Sequence, residues 1–431
     1  NVVGTLQNNG GVLPGVTFKE GGTNFTNSLL VGTSGTGTLN AAQNNTGVGT
    51  GVLAALTTGD DNTAVGALAL DANTTGSQNI AIGKCSLTAN TTANNNVAVG
   101  HRSMETNTTG VENVAIGEQT LRYNQTGTRN VAVGKAAGLN NTTANDNTAV
   151  GTEALKTSTT GAGNVAVGKD ALLAHTTGAT NVAIGCGALL ANTTANNNIA
   201  VGSGALKSNT TATSNTAVGH LALCTNITGA NNTALGYNSL RKNTVSDNTA
   251  VGNIALACNT SGASNTAIGG GALKLNTTGD GNVAVGYLAL DANTTADNNT
   301  AVGFNSLTAN TEGFQNIAVG YFSLEQNTTG DKNVAVGSQA LNANTTANFN
   351  TAIGTCSQRA TNTGICNVSA GYLSLGANTT GRFNTALGTT SLLSNTTADN
   401  NTAIGDSSLD ANTTGAENVA VGVDALGTNT T

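Results

Sequence analysis

The residues with chemistry to offer are few: three histidines, six cysteines, 22 carboxylates and a recurrent Asn-Thr-Thr. A zinc centre needs three or four ligands drawn to one point. His101 and His220 share the sixth position of a 17-residue repeat but lie seven repeats apart, and His175 replaces the Asn of one Asn-Thr-Thr. Repeats stacked in register do not gather them, so all three read as solvent-exposed substitutions. The carboxylates scatter, and no glycine-rich calcium nonapeptide occurs. No Ser-His-Asp or Cys-His set has support. The chain is therefore expected not to be an enzyme and to carry no cofactor or metal.

The cysteines are Cys85, Cys186, Cys224, Cys258, Cys356 and Cys366. Cys224 and Cys258 fall two repeats apart; at a stacking distance of about 4.8 Å they are roughly 10 Å apart, beyond disulfide reach. Cys356 and Cys366 share one repeat and are the candidate disulfide. That repeat is irregular, with Gln358 where the others have Leu. A disulfide-compensated coil or neutral drift is preferred there over a receptor contact.

Asn-Thr-Thr is also an N-linked glycosylation acceptor. It opens at Asn73, Asn90, Asn107, Asn192, Asn209, Asn276, Asn293 and onward. Glycans spaced at about 4.8 Å would crowd one another. A ladder of stacked amides is the preferred reading, with sparse glycosylation compatible with it. The Asn and its second Thr are expected to share a face as two polar ranks, a surface that ice could also match.

These residues are positioned by the repeat itself, N-[TV]-A-[VI]-G-x-x-[AS]-L-x-x-N-T-T-[GA]-x-x. Its lead Asn runs from Asn45 to Asn418 in 23 copies, with one residue deleted between Asn232 and Asn248. A short period over most of a chain means stacked units rather than a globular fold. The segment N-T-A-V-G alternates and reads as a short strand. Position 4, nearly always Val, Ile or Leu, is expected to point inward with position 2. Position 3, almost always Ala, is expected to face outward, as Ala98, Ala115, Ala132 and Ala166. Leu at position 9 is the second core anchor.

The fold class is therefore all-β: a β-solenoid (β-roll) of about 23 coils, one per 17-residue repeat, preceded by a short non-repeat segment. At about 4.8 Å per coil it would be a rod of roughly 110 Å. Residues 45–431 form the repeat array, and residues 1–44 are an N-terminal cap or assembly segment.

Composition excludes several functions. Charged residues are 9% and aromatics 3%, and the net charge is −7. Lys and Arg are few and scattered, so no nucleic-acid partner is expected. No run of 18 apolar residues exists to span a membrane. A start at Asn1, with no signal peptide in view, fits a processed secreted chain or an expressed portion equally well.

Segments such as Asn113-Val114-Ala115-Ile116-Gly117 and Asn164-Val165-Ala166-Val167-Gly168 resemble the head repeats of YadA-like trimeric autotransporter adhesins. They are also similar to repeats of phage and giant-virus fibre proteins. The resemblance covers 45–431, although the family's head repeat is shorter and the extra residues here lie around Asn-Thr-Thr. It implies a left-handed β-roll, trimeric, extracellular and adhesive, with position 3 facing the neighbouring chain.

The expected function is an extracellular structural fibre or filament subunit, at a cell or virion surface, with itself as partner. Head-to-tail joining would use strand addition. The N-terminal apolar residues Val12, Leu13, Phe18, Phe25, Leu29 and Leu30 would dock on Val419, Val421 and Leu426 of the last coil. The alternatives are a trimeric adhesin or viral tail-fibre shaft that binds a surface receptor or glycan, and an ice-binding solenoid.

Overall fold

The computed structural model describes residues 7–8, 11–12, 18–22, 25–32 and 39–431, with side chains for 25–32 and 39–431. It is all-β, with no helix among the described residues. Positions 2–4 of each repeat form a three-residue strand. Strands of successive repeats pair in parallel, residue for residue, as in Val114↔Val131, Ala115↔Ala132 and Ile116↔Val133. The product is a β-solenoid of about 23 coils. It divides into two compact units, residues 1–214 and 215–431. The first holds the coils that start at Asn45 through Asn198, the second those from Asn215 through Asn418.

The strand phase is opposite to the sequence expectation. Position 3 points inward: Ala98, Ala115 and Ala166 are fully buried and Ala132 is 1% exposed. The outward residues are those at positions 2 and 4, such as Ile116 at 41% and Ile184 at 40%. The reason is volume. Leu at position 9 reaches across the thin interior to meet position 3, so the strand can place only a small side chain there. The core of the last coils shows the pattern directly, alternating Leu375, Ala386, Leu392, Ala403, Leu409 and Ala420.

Between the glycine at position 5 and the asparagine at position 12 the backbone winds tightly. Positions 7 and 9 adopt left-handed φ in ordinary residues, for example Leu155 at 51°, Leu172 at 51° and Leu189 at 50°. Such conformations are uncommon outside glycine. Here the alternation turns successive amides toward opposite neighbours. Leu68 N–H donates to Thr50 O of the preceding coil at 2.9 Å, and Leu70 N–H to Ser86 O of the following coil at 3.1 Å. The backbone groups are satisfied, and the same twist aims the leucine of position 9 into the core.

Two columns of asparagine run inside each unit. At position 1, Asn62 Nδ2 donates to Asn45 Oδ1 at 3.0 Å and to Gly76 O at 2.9 Å. At position 12, Asn90 Nδ2 donates to Asn73 Oδ1 at 2.9 Å and to Ala93 O at 3.2 Å. Both columns are buried. Most of their amides bond the closing corner of their own coil and many also the coil before it, which offsets most of the cost of burying polar groups. Asn344 Oδ1 and Asn412 Oδ1 are among the few buried atoms without a partner. The short repeat, Asn232 to Asp247, keeps this scheme. Val245 O accepts from Asn232 Nδ2 at 2.8 Å and from Asn243 Nδ2 at 2.7 Å, so the missing residue is absorbed in the corner.

The N-terminal segment opens with the antiparallel pair β1 (Gln7–Asn8) and β2 (Gly11–Val12). A hairpin follows, β3 (Phe18–Gly22) and β4 (Phe25–Val31). β4 lies parallel to β5 (Ala42–Gln43) and to β6 (Thr46–Val48), the strand of the first repeat. The repeat's strand pattern thus extends back to Ser28. Ser28 Oγ accepts the Asn45 N–H at 2.7 Å and stands in for a ladder amide. Leu30 pairs with Gly47 and is fully buried. It fills the space an Ala leaves elsewhere, and a Cβ on Gly47 would run into its Cδ2.

Candidate interaction face

With positions 1 and 3 turned inward, positions 2 and 4 form two outward ranks on a parallel sheet in each unit. None of the 46 residues at these positions in the 23 repeats is charged, where the chain as a whole has 9%. They are Thr, Val, Ile and Leu, with Ala370 as the sole exception. Ile268 is 40% and Ile353 47% exposed. Soluble chains seldom leave so long an apolar strip open unless something covers it.

The borders of this face differ along the chain. In the first unit, positions 6 and 17 carry charge. Arg129 pairs with Asp146 at 2.7 Å and Lys135 with Glu118 at 3.3 Å, each across one coil. The hydrogen bond from Arg129 holds the Asp146 carboxyl below its ordinary pKa. In the second unit aromatic rings replace much of that charge. Tyr287, Phe304 and Tyr321 stack at position 6 with centroids 5.5 and 5.6 Å apart. Phe349 and Phe383 stand at position 17 on the opposite border.

Asn73, Asn90, Asn107, Asn192, Asn209, Asn276 and Asn293 are fully buried in the position-12 column. An amide held inside the coil has no room for a glycan. Nor do the Asn and the second Thr share a face: Asn73 points in, Thr74 is half-buried and Thr75 is exposed. The Asn-Thr face expected from the sequence is therefore not present.

Of the N-terminal residues, Phe25 and Leu30 are buried against the chain's own first coil, and Leu29 is 40% exposed. Val12 lies in β2 and Phe18 in β3; their side chains, and Leu13, lie outside the described residues. Val419, Val421 and Leu426 are 68%, 68% and 50% exposed.

Cys356 and Cys366 are free thiols, not a disulfide. What compensates their irregular coil is a polar cluster. Gln358 is fully buried and its Nε2 donates to Thr351 O at 2.8 Å and Ser369 Oγ at 2.9 Å. Ser357 bonds Ser369 and also Ser374. A Gln–Ser pair thus replaces the usual Leu–Ala pair, leaving Gln358 Oε1 without a partner. Restoring both apolar residues in Gln358→Leu/Ser369→Ala should stabilise the coil by about 1–3 kcal/mol, more than the two single changes combined. Slower hydrogen exchange at Val368–Ala370 would register the gain. A double variant no better than either single one would refute it.

His175 is buried, not exposed. Its ring occupies a place in the position-12 column, with Nδ1 3.3 Å from Ser158 Oγ and Nε2 unpartnered. Asn192 Nδ2 in the next coil, and Asn141 Oδ1 on the far side of Ser158, are orphaned as well. Burial lowers the His175 pKa to about 4. The unfolded chain takes up this proton near pH 6.5, before the folded one does. The associated stability is complete above about pH 6.5 and is lost as the pH falls through about 4, a total of about 3 kcal/mol. The urea midpoint of the first unit should fall over this window by more in the native chain than in His175→Asn. Equal losses in the two proteins would count against the assignment.

Among the described residues no three His, Cys, Asp or Glu side chains gather as a metal site requires. No helix among them is long and apolar enough to cross a membrane. Comparison of the chain with protein-family models gives no match, and none is found among curated proteins.

Proposed function

We propose that this chain is an extracellular structural subunit, a fibre building block that associates side by side with copies of itself through the uncharged sheet face. The observation that carries the reading is the pair of outward ranks at positions 2 and 4. A second copy is the partner whose contact groups repeat at the same coil spacing, so matching one coil matches its neighbours. Twenty such side chains in the first unit, about half of them near 40% exposed and the rest half-buried, offer on the order of 1,000 Å², compared with the ~800 Å² per partner of a standard interface. The resemblance of the repeat to adhesin heads and fibre proteins supports a place at a cell or virion surface.

End-to-end joining through residues 1–44 has less support. Phe25 and Leu30 already serve the chain's own first coil, and β4 is hydrogen-bonded on both sides, to β3 and to β6. Ice binding keeps one observation in its favour, the flat Thr-x-Val pattern of segments such as Thr249-Ala250-Val251.

The test uses outward positions, where a longer side chain leaves the core untouched. Val167→Lys together with Val285→Lys should convert an oligomer into monomers, read as mass by light scattering, with circular dichroism unchanged. A native chain that is monomeric at high micromolar concentration would overturn lateral association. Thermal hysteresis from such a monomer, lost in the lysine variant, would move the reading to ice.

A further inference from the structure

A face built from near-identical coils has a registration problem. Two copies that slide past each other by one whole coil recover nearly the same contacts, so the uniform ranks hold copies together without fixing their offset. Something that occurs once must set it. Eight of the chain's twelve aromatic residues lie between Tyr287 and Phe383, and six of them stand at positions 6 and 17, which border the sheet face.

On one border, Tyr287, Phe304 and Tyr321 are 54%, 43% and 51% exposed. Phe322 buttresses the stack edge-on, 5.6 Å from Phe304 and 4.1 Å from Tyr321. On the other border, Lys332 lies over both Phe314 and Phe349, at 5.6 and 5.4 Å. Phe349 and Phe383 are 53% and 56% exposed. In the Tyr287–Phe304–Tyr321 stack the ring faces between coils are hidden and the edges are presented outward. A row of edges suits a protein surface better than a sugar, which would lie on a ring face. At other coils of the second unit the same positions hold small polar residues such as Ser338, Thr355 and Thr389.

We infer that the aromatic borders from Tyr287 to Phe383 are a register lock between copies of this chain: they fix one offset in an interface whose adhesion comes from positions 2 and 4. The inference rests on the lateral association proposed above. Sliding by one coil would take each ring from the neighbour shaped for it and set it against a coil that lacks the match. Large aromatic side chains concentrate interface energy in this way, while the surrounding contacts mainly exclude water.

The test uses the full chain with Tyr287→Thr, Phe304→Thr and Tyr321→Thr, residues of a kind the repeat already carries at position 6. Copies with natural and heavy nitrogen are mixed, cross-linked through their lysines and read by mass spectrometry, so that links between chains are distinguished from links within one. In the native protein the inter-chain links should report one fixed offset. In the triple variant, light scattering should still show the native oligomer mass, and the links should spread over offsets of several coils. A triple variant that keeps the single offset overturns the lock and leaves lateral association standing. A monomeric triple variant also overturns it, because the rings would then be the adhesive contact. A monomeric native chain defeats both readings.

Discussion

Gly168→Ala should unfold its neighbourhood at a cost of about 3–5 kcal/mol, although it adds a single methyl group. Gly168 has φ 129°, outside the range of ordinary side chains, and a Cβ there would sit 2.7 Å from the Gly185 carbonyl carbon and oxygen. That obstacle is backbone belonging to the next coil, so it has no rotamer to change. Gly187 is the control. It also has positive φ, at 63°, but its Cβ would meet only Leu190 Cδ1 at 3.7 Å, and other coils carry ordinary residues at the same position. Gly187→Ala should therefore be close to neutral. Urea midpoints of the two variants decide the matter, and equal midpoints would show that the corner glycine is not sterically required.

The second large effect is expected at Asn181→Asp, a replacement of almost unchanged shape. Asn181 Nδ2 donates to Ala195 O at 2.8 Å and to Asn164 Oδ1 at 3.1 Å, while its Oδ1 accepts the Asn198 N–H at 3.0 Å. A carboxylate keeps the acceptor role and loses both donations. It also brings two oxygens face to face with acceptors in a buried column and places there a charge with no cation opposite. The cost should be about 3–5 kcal/mol near neutral pH, lessening in acid as the carboxyl takes up a proton and can donate again. Asn197→Asp, at an exposed position, should change little. Hydrogen exchange across Val182–Ile184 would resolve the two. If Asn181→Asp protects those amides as well as the native chain does, the ladder is not a stabilising element.

The repeat period made the all-β solenoid legible from sequence, because a 17-residue unit with one short strand buries its apolar groups only by stacking. The strand's phase is not legible from residue size, which assigns Val and Ile at position 4 to the core and Ala to the surface. Size misleads where the interior is narrow, since the leucine of position 9 already fills it from the far side. A better signal was present in how strictly each position is kept. Positions 1, 3 and 5 are Asn, Ala and Gly in nearly every copy, whereas position 2 drifts among Thr, Val and Ile. Invariance with period two marks the side that has no room to vary. The same signal marks the lead Asn as a buried column and not only as the start of a repeat.

What lay beyond the sequence were facts of contact. Ser28 was hidden because the coil it starts keeps only the strand of the repeat. Burial of His175 follows from its place in the Asn column, and placing it outside required position 12 to be a surface rank. The sheet face could not be recognised until its phase was known. The aromatic borders needed the further knowledge that positions 6 and 17 flank it.

The asparagine columns give each unit an electrical direction that its net charge does not describe. In many coils an Asn Nδ2 donates toward the preceding coil, as Asn90 does to Asn73 and Asn62 to Asn45. Backbone amides partly cancel, since Gly66 N–H points to the preceding coil and Leu70 N–H to the following one. The side-chain amides within a column point one way. Their dipoles add head to tail, as peptide dipoles do along a helix, with the donor end toward the N-terminal coils. A solution of such units in a pulsed electric field should orient and become birefringent. The moment should grow with the number of coils and shrink where His175 or Thr361 interrupts a column.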